Sequence, residues 1–302
     1  MKTHSDESLG IMVDSIRLHT EEYLREHPIK SMILGISGGI DSALVAALMK
    51  PVCDKAGIPL IGRSISIETN KEDEKYRARE IGNIFCTKFD EVDLSRTFIT
   101  VIGSLLSDDT IDESLDIKRT KIRYGNIKAR MRMLMLYDLA GATSGFVLST
   151  DNLTEYNLGF WTLHGDVGDY GPIQQLWKTE IYALSDYLCR TELKDNDRAR
   201  MALMSCIECN ATDGLGITST DLDQIMPDWH NRHSNTRSGY EEVDDILVNY
   251  LNTLKDMPTT TVLGDWLNII TDLQKNPVIR RHLASEFKRT NPYRIPRNKI
   301  IN

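Results

Sequence analysis

The sequence predicts an α/β fold: a parallel sheet with helices on both faces, followed by a helical C-terminal part. Three observations point there. Short runs with strand character at 32–36, 59–67, 88–92 and 146–150 alternate with longer segments of helical periodicity. The first run passes through Gly38 and Gly39 straight into an Ala/Leu-rich stretch, which reads as strand, tight turn and helix. Beyond residue 180 the strand signals fade and only helical patterns continue.

In chain order, apolar positions Leu9, Val13, Ile16, Leu18, Tyr23 and Leu24 among charges give an amphipathic leading helix over 9–26 that Pro28 ends. The helix after the glycine turn is expected to close or kink at Lys50-Pro51, with a possible continuation over 53–56. A helix over 68–85 follows the second strand, and its run of charges (Lys71, Glu72, Asp73, Glu74, Lys75, Arg77, Arg79, Glu80) reads as a solvated face. After the third strand come a helix over 98–106, a polar loop over 107–118, and a Met/Leu-rich helix over 128–140 ended by Gly141 and Gly145. Further helices are expected over 179–191, 198–204, 240–254 and 277–287, with 213–235 loop-like. No internal repeat or low-complexity linker interrupts the pattern, so 1–302 reads as a single domain with a helical segment over 220–302.

Composition narrows the function. The chain has 302 residues and 34.3 kDa, with 36 Lys and Arg against 44 Asp and Glu, a net charge of −8. Such a balance argues against a broad nucleic-acid face, while leaving room for a local basic pocket. No apolar run approaches the ~20 residues that span a bilayer, and the N-terminus lacks a signal-peptide pattern. Five cysteines at irregular spacing do not make a disulfide framework. The expectation is a cytoplasmic protein with no membrane partner.

The chemistry concentrates at two places. The first is the turn Gly35-Ile36-Ser37-Gly38-Gly39-Ile40-Asp41-Ser42. Backbone N–H groups at a strand–helix turn, together with the positive end of the helix dipole, suit an anion. The stretch satisfies Gly-x-Ser-x-Gly, the nucleophile elbow of serine hydrolases. It equally satisfies Ser-Gly-Gly-x-Asp-Ser, the pyrophosphate-binding loop of ATP enzymes that adenylylate a substrate. A tight turn that binds nothing is the third reading. It is not a Walker A loop, since no Gly-Lys-Ser/Thr follows.

The second place runs from Tyr124 to Lys178. Gly125-Asn126-Ile127-Lys128-Ala129-Arg130 opens a helix with Lys128, Arg130 and Arg132, of which Lys128 and Arg132 share a face. Ser149-Thr150-Asp151-Asn152 with Glu155 follows the fourth strand, where a hydroxyl and two carboxylates suit a nucleotide with Mg²⁺. Gly165-Asp166-Val167-Gly168-Asp169 adds two carboxylates, and Lys178 stands just before a helix.

Taken in order, these motifs resemble those of the NAD synthetases. The resemblance rests on residues 37–42, 125–130, 149–152 with Glu155, and 165–179. It continues through 211–215, 221–225 and Lys288-Arg289, and so covers roughly residues 10 to 295. It implies a Rossmann-like sheet of the adenine nucleotide alpha hydrolase type. The implied activity is a ligase that adenylylates the nicotinate carboxylate of deamido-NAD with ATP as co-substrate, releases pyrophosphate, and amidates the adenylate with ammonia to give NAD and AMP.

By motif position, Gly35, Ile36, Ser37, Gly38, Gly39, Ile40, Asp41 and Ser42 resemble the ATP phosphate loop, and Thr150, Lys178 and Thr212 further ATP contacts. Asp41 and Glu155 resemble the Mg²⁺ ligands. Arg130, Asp169 and Lys288 resemble deamido-NAD contacts. Asp166 and Lys178 are the catalytic candidates, Asp166 to orient or deprotonate ammonia and Lys178 to stabilise departing pyrophosphate. The resemblance also implies a homodimer with the deamido-NAD site across the interface. With only about thirty residues ahead of the first strand, no glutaminase module is expected, so ammonia comes free or from a separate glutaminase partner.

The chain departs from the family pattern where Leu163 replaces a common Lys, with His164 as the substitute contact, and where Phe287 replaces a common His. Residues 226–238, with Trp229, His230, Arg232 and His233, read as an inserted surface loop. Cys206-x-x-Cys209 has neither a second pair nor a His pair to complete a zinc site, so both read as free thiols. A non-catalytic ATP sensor and a hydrolase using Ser37 are the competing classes. The Gly-x-Ser-x-Gly reading, however, gives no task to Asp41, Glu155 or Lys178.

Overall fold

The computed structural model describes residues 4–68, 70–106, 117–212, 218–255, 273–292, 294–295 and 297. Strands β1 (Met32–Gly35), β2 (Leu60–Ser66), β3 (Lys88–Asp93) and β4 (Phe146–Val147) pair in parallel in the order β3-β2-β1-β4. Period-2 alternation sends successive β1 side chains to opposite faces. Met32 and Leu34 join a core with α1 (Asp6–Glu26), α2 (Ile40–Ala56), α7 (Lys178–Arg190) and α8 (Asp197–Glu208). Ile33 meets Ile61, Ile65 and Val147 against Leu136 and Ala140 of α5 (Ile117–Thr143) on the other face. The remaining helices of the first half are α3 (Glu72–Phe85), α4 (Ser95–Leu106) and α6 (Leu153–Leu158). The expected fold class is therefore the observed one.

A second apolar cluster organises the C-terminal part. Leu158 of α6, Leu222, Ile225, Met226 and Trp229 pack with Tyr240, Val243 and Leu247 of α9 (Thr236–Lys255) and with Val278 of α10 (Pro277–Ala284). A short α11 (Glu286–Arg289) follows.

Helix α2 runs through Pro51 to Ala56, the continuation the sequence allowed, because Val52 and Cys53 are buried beyond it and their burial offsets the lost hydrogen bond. Three expectations need correction. Helix α5 begins at Ile117 and runs through Gly125 and Gly141, each tolerated at a cost of about 1 kcal/mol. The stretch 226–238 is not a surface loop: Met226 and Trp229 are buried in the second cluster, and Thr236 already belongs to α9. The charge run on α3 is not wholly solvated, since Glu74 is buried. Of the polar 107–118 segment, residues 107–116 lie outside the described residues, as do 213–215 of the 211–215 motif.

Candidate active site

The carboxyl end of β1 opens into the turn 36–39 and then α2. Gly38 holds φ +84, and a Cβ there would lie 2.3 Å from the Glu74 carbonyl oxygen of α3, so both conformation and space demand glycine. The loop is braced from within. Ser42 Oγ accepts from Ser37 N at 3.2 Å and donates to the Gly39 carbonyl at 3.1 Å, while Ser37 Oγ accepts from Gly39 N at 3.2 Å. The two hydroxyls lie 3.1 Å apart. Arg77 of α3 donates to the Gly38 carbonyl at 2.9 Å and ties the loop to the next helix.

Lys178 is the electrostatic centre. It is 2% exposed, and its ammonium donates to Asp41 Oδ2 at 2.5 Å and Glu155 Oε1 at 3.0 Å. Three elements converge to make that contact: α2 brings Asp41, α6 Glu155 and α7 Lys178. Asn152 caps α6 and donates through Nδ2 to Asp41 Oδ1 at 2.8 Å. Burial opposes the charge on Lys178, yet the two carboxylates hold its pKa well above the usual lysine value. Burial pushes the Glu155 carboxyl up, with Lys178 opposing.

Behind Lys178, Asp244 of α9 accepts from Thr154 Oγ1 at 2.5 Å and from Thr179 N at 2.9 Å, and the Tyr240 ring lies 5.4 Å from the ammonium. Neither Asp244 nor Tyr240 was foreseen. They lie more than sixty residues from Lys178 in sequence and carry no motif.

Asp41, Glu155 and Lys178, with Gly35, Ser37 and Gly39 of the turn, line a cavity of about 290 Å³ that also takes in Thr150, Asp151, Asp166 and Thr212. Thr212 donates to Glu74 Oε1 at 2.9 Å. Burial, and then the Asp151 charge, push the Asp166 carboxyl up to about 7, while Thr162 N donates to it at 2.8 Å. Asp151 is itself raised to about 6 by burial. The cavity wall also carries Arg132, one of the three cations marked on α5, together with Arg77, expected on a solvated face, and Arg63, which no motif marks. A helical charge pattern does not reveal which cations turn inward.

The four deamido-NAD candidates are not among the lining residues. Arg130 is exposed and donates to the Leu163 carbonyl at 2.9 Å. His164, in the left-handed region at φ +55, lies 3.2 Å from Asn291 Nδ2. Lys288 donates to the carbonyls of Gly159 and Trp161, and burial lowers its pKa to about 8. Asp169 accepts from Val147 N at 2.9 Å and from Tyr137 Oη at 3.0 Å, closing the edge of β4. Three of the four thus hang on the loop 159–164, while Asp169 is held at the sheet edge.

A family model described as NAD synthase matches residues 12–292. An NH(3)-dependent NAD(+) synthetase of Finegoldia magna is 30% identical over 234 residues, 77% of this chain and 82% of that protein. The Pyrococcus furiosus protein of the same description is 34% identical over 207 residues, 68% and 70% of the two chains. Among solved structures, an NMN synthetase from Francisella tularensis superposes with TM-score 0.69 at 21% identity, covering 98% of this chain and all of that one. The NH3-dependent NAD synthetase from Campylobacter jejuni gives 0.60 at 21% identity, covering 95% and 99%. The structural likeness carries the fold, of the adenine nucleotide alpha hydrolase type, and the sequence match carries the lineage: this chain belongs to the NAD synthase family.

Proposed function

We propose that the chain is an ammonia-dependent ligase that amidates the nicotinate carboxylate of deamido-NAD at the expense of ATP. The observation that carries this reading is Lys178, buried between Asp41 and Glu155 beside the braced glycine turn. In the first step a carboxylate oxygen of the substrate attacks the α-phosphorus of ATP. The bond to the bridging oxygen breaks, pyrophosphate leaves, and the acyl adenylate remains. In the second, the nitrogen of ammonia attacks the carbonyl carbon, the C–O bond to AMP breaks, and nitrogen gives up a proton as the amide forms. The 35–42 turn and Lys178 face the phosphates, with Thr150 and Thr212 further along the same cavity. Asp166 is our candidate to receive the proton.

Asp41 and Glu155 share one ammonium, so acceptor capacity remains for a hard dication. Among the described residues no three His, Cys, Asp or Glu side chains group to hold a metal. That arrangement suits Mg²⁺, which takes one or two carboxylates and fills its remaining positions with phosphate oxygens and water. Mg²⁺ held there would neutralise charge on the phosphates.

Arg130, Leu134 and Tyr137 recur at helical spacing along α5. Leu134 is 73% exposed, and Tyr137 reaches Asp169. We read this stripe as a homodimer interface, which puts Arg130 and Asp169 beside the partner and accounts for their absence from the cavity lining. Ammonia is supplied free or by a separate glutaminase.

The hydrolase alternative needs a base for Ser37, and no histidine lines the cavity among the described residues. Pyrophosphate release from ATP, measured with and without deamido-NAD and ammonium, tests the proposal. Release that depends on deamido-NAD is the expected result, and its absence overturns the reading. Nicotinate mononucleotide belongs in the same assay, given the Francisella structure's description.

A further inference from the structure

Glu155 and Asn152 sit at the start of α6, so the placement of this one helix sets where a carboxylate meets Lys178 and where an amide meets Asp41. Six residues do not hold a helix by themselves. The N-terminal end is fixed by a capping box between Asn152 and Glu155. At the other end, consecutive carbonyls are taken by side chains from α10 and α11. Asn157 O accepts from Arg289 Nη1 at 2.8 Å and from His282 Nδ1 at 2.9 Å, and Leu158 O accepts from Arg281 Nε at 2.8 Å. Gly159 O accepts from Lys288. Gly159 lies at φ +65, and a Cβ there would come within 2.4 Å of Ser285 Cβ, so its lack of a side chain lets the joint between α10 and α11 close onto α6.

Arg289 does more than touch one carbonyl. Its Nη2 donates to His282 O at 2.7 Å and its Nη1 to Ser285 Oγ at 2.9 Å, so one guanidinium knits α10 and α11 to α6. Arg281 lies 4.8 Å from the Phe160 ring, and Leu158 shares an apolar cluster with Val278. Cations at a helix C-terminus also complement its dipole. Burial lowers the pKa of Arg281, Arg289 and Lys288 alike, so the arrangement collects half-buried positive charge at this helix end.

We propose that Arg281 and Arg289 are positioning residues: by clamping the carbonyl end of α6 they hold Glu155 and Asn152 in register with Lys178 and Asp41. The proposal rests on the assignment of Glu155 and Asp41 to the nucleotide and its cation. It places these arginines out of contact with the reacting atoms.

The test uses the full chain and the variants Arg289→Met, Arg289→Lys and Arg281→Gln. Calorimetric titration of ATP with and without Mg²⁺, in the absence of any carboxylate substrate, reads the clamp independently of which nicotinate compound is amidated. For Arg289→Met, the Mg²⁺-dependent gain in ATP affinity is expected to fall about tenfold or more, as when groups that orient a metal ligand are removed. Metal-free ATP affinity should change little, and kcat for pyrophosphate release should fall with KM for the acid substrate nearly constant. Arg289→Lys, which keeps the charge and one donor, should recover part of the loss. A variant with a lower melting temperature but wild-type Mg²⁺ dependence, assayed well below that temperature, overturns the proposal. So does a rise in KM for the acid substrate alone, which would make the arginine a substrate contact. Should Arg289→Met fail to fold, Arg281→Gln, which leaves Arg289 in place, decides by the same criteria. Absence of deamido-NAD turnover in the wild type defeats the functional reading while the ATP titrations still judge the clamp.

Discussion

Lys178 shows how one side chain can be read from sequence while its energetics cannot. Its position before a helix and after Gly-Asp marks it, but only the fold shows both carboxylates on one buried ammonium. Replacing it with Met leaves Asp41 and Glu155 facing each other without a counter-charge. We expect a loss of about 3 kcal/mol in stability, read by urea denaturation. Pyrophosphate release should also fall at least about 10²-fold. Asp166 gives a pH signature. Its folded pKa, about 7, lies above the usual 3.8 because of burial and Asp151, with Thr162 and Lys288 opposing. A raised acid favours the protonated fold, so its stabilisation is fully present below 3.8 and is lost as pH rises through about 7. Asp166→Asn, permanently neutral, should therefore gain in melting temperature relative to wild type between pH 5 and pH 8. In the wild type, kcat/KM for ammonia at constant free NH₃ should rise through that same range, as a base that must be ionised requires.

At the level of elements, the β1–turn–α2 unit offers a controlled comparison. Gly57 caps α2 at φ +68 with nothing within 4 Å of a Cβ, whereas Gly38 at φ +84 meets the Glu74 carbonyl. Gly57→Ala should cost about 1–2 kcal/mol from backbone conformation alone. Gly38→Ala should cost more and should also abolish ATP binding, since either α3 or the loop must move. Denaturation curves and ATP titrations of the two variants check both statements. Strand and helix positions were legible here because apolar periodicity reports burial directly. Helix ends were less so: Pro51 and Gly125 carry strong local signals that the burial of Val52, Cys53 and Gly125 itself overrides.

For the whole molecule, the separation of the candidate residues is informative. Asp41, Thr150, Glu155, Lys178 and Thr212, all proposed for ATP and its cation, line one cavity, while Arg130, His164, Asp169 and Lys288 lie outside its lining. With the α5 stripe as a dimer face, sedimentation should give a mass near twice the 34.3 kDa chain. Leu134→Glu, a charge on the exposed face, should yield monomers that bind ATP normally but lose deamido-NAD turnover. A Leu134→Glu protein that stays dimeric would move the interface elsewhere.

By itself the sequence determined the alternation of strands and helices, the glycine turn with Asp41 behind it, and the order of motifs that carries the family. Each of these is local or ordered along the chain, and so is written in spacing and residue type. Tertiary structure decided what depends on distant segments meeting. It turned Arg77 inward onto the Gly38 carbonyl, set Asp244 and Tyr240 behind Lys178, and buried Trp229 where a surface loop was expected. It also set the arginines of α10 and α11 on the end of α6. Such contacts follow from how helices pack on a sheet and on one another. A charged side chain on a helix has no sequence mark that tells water from a neighbour's carbonyl.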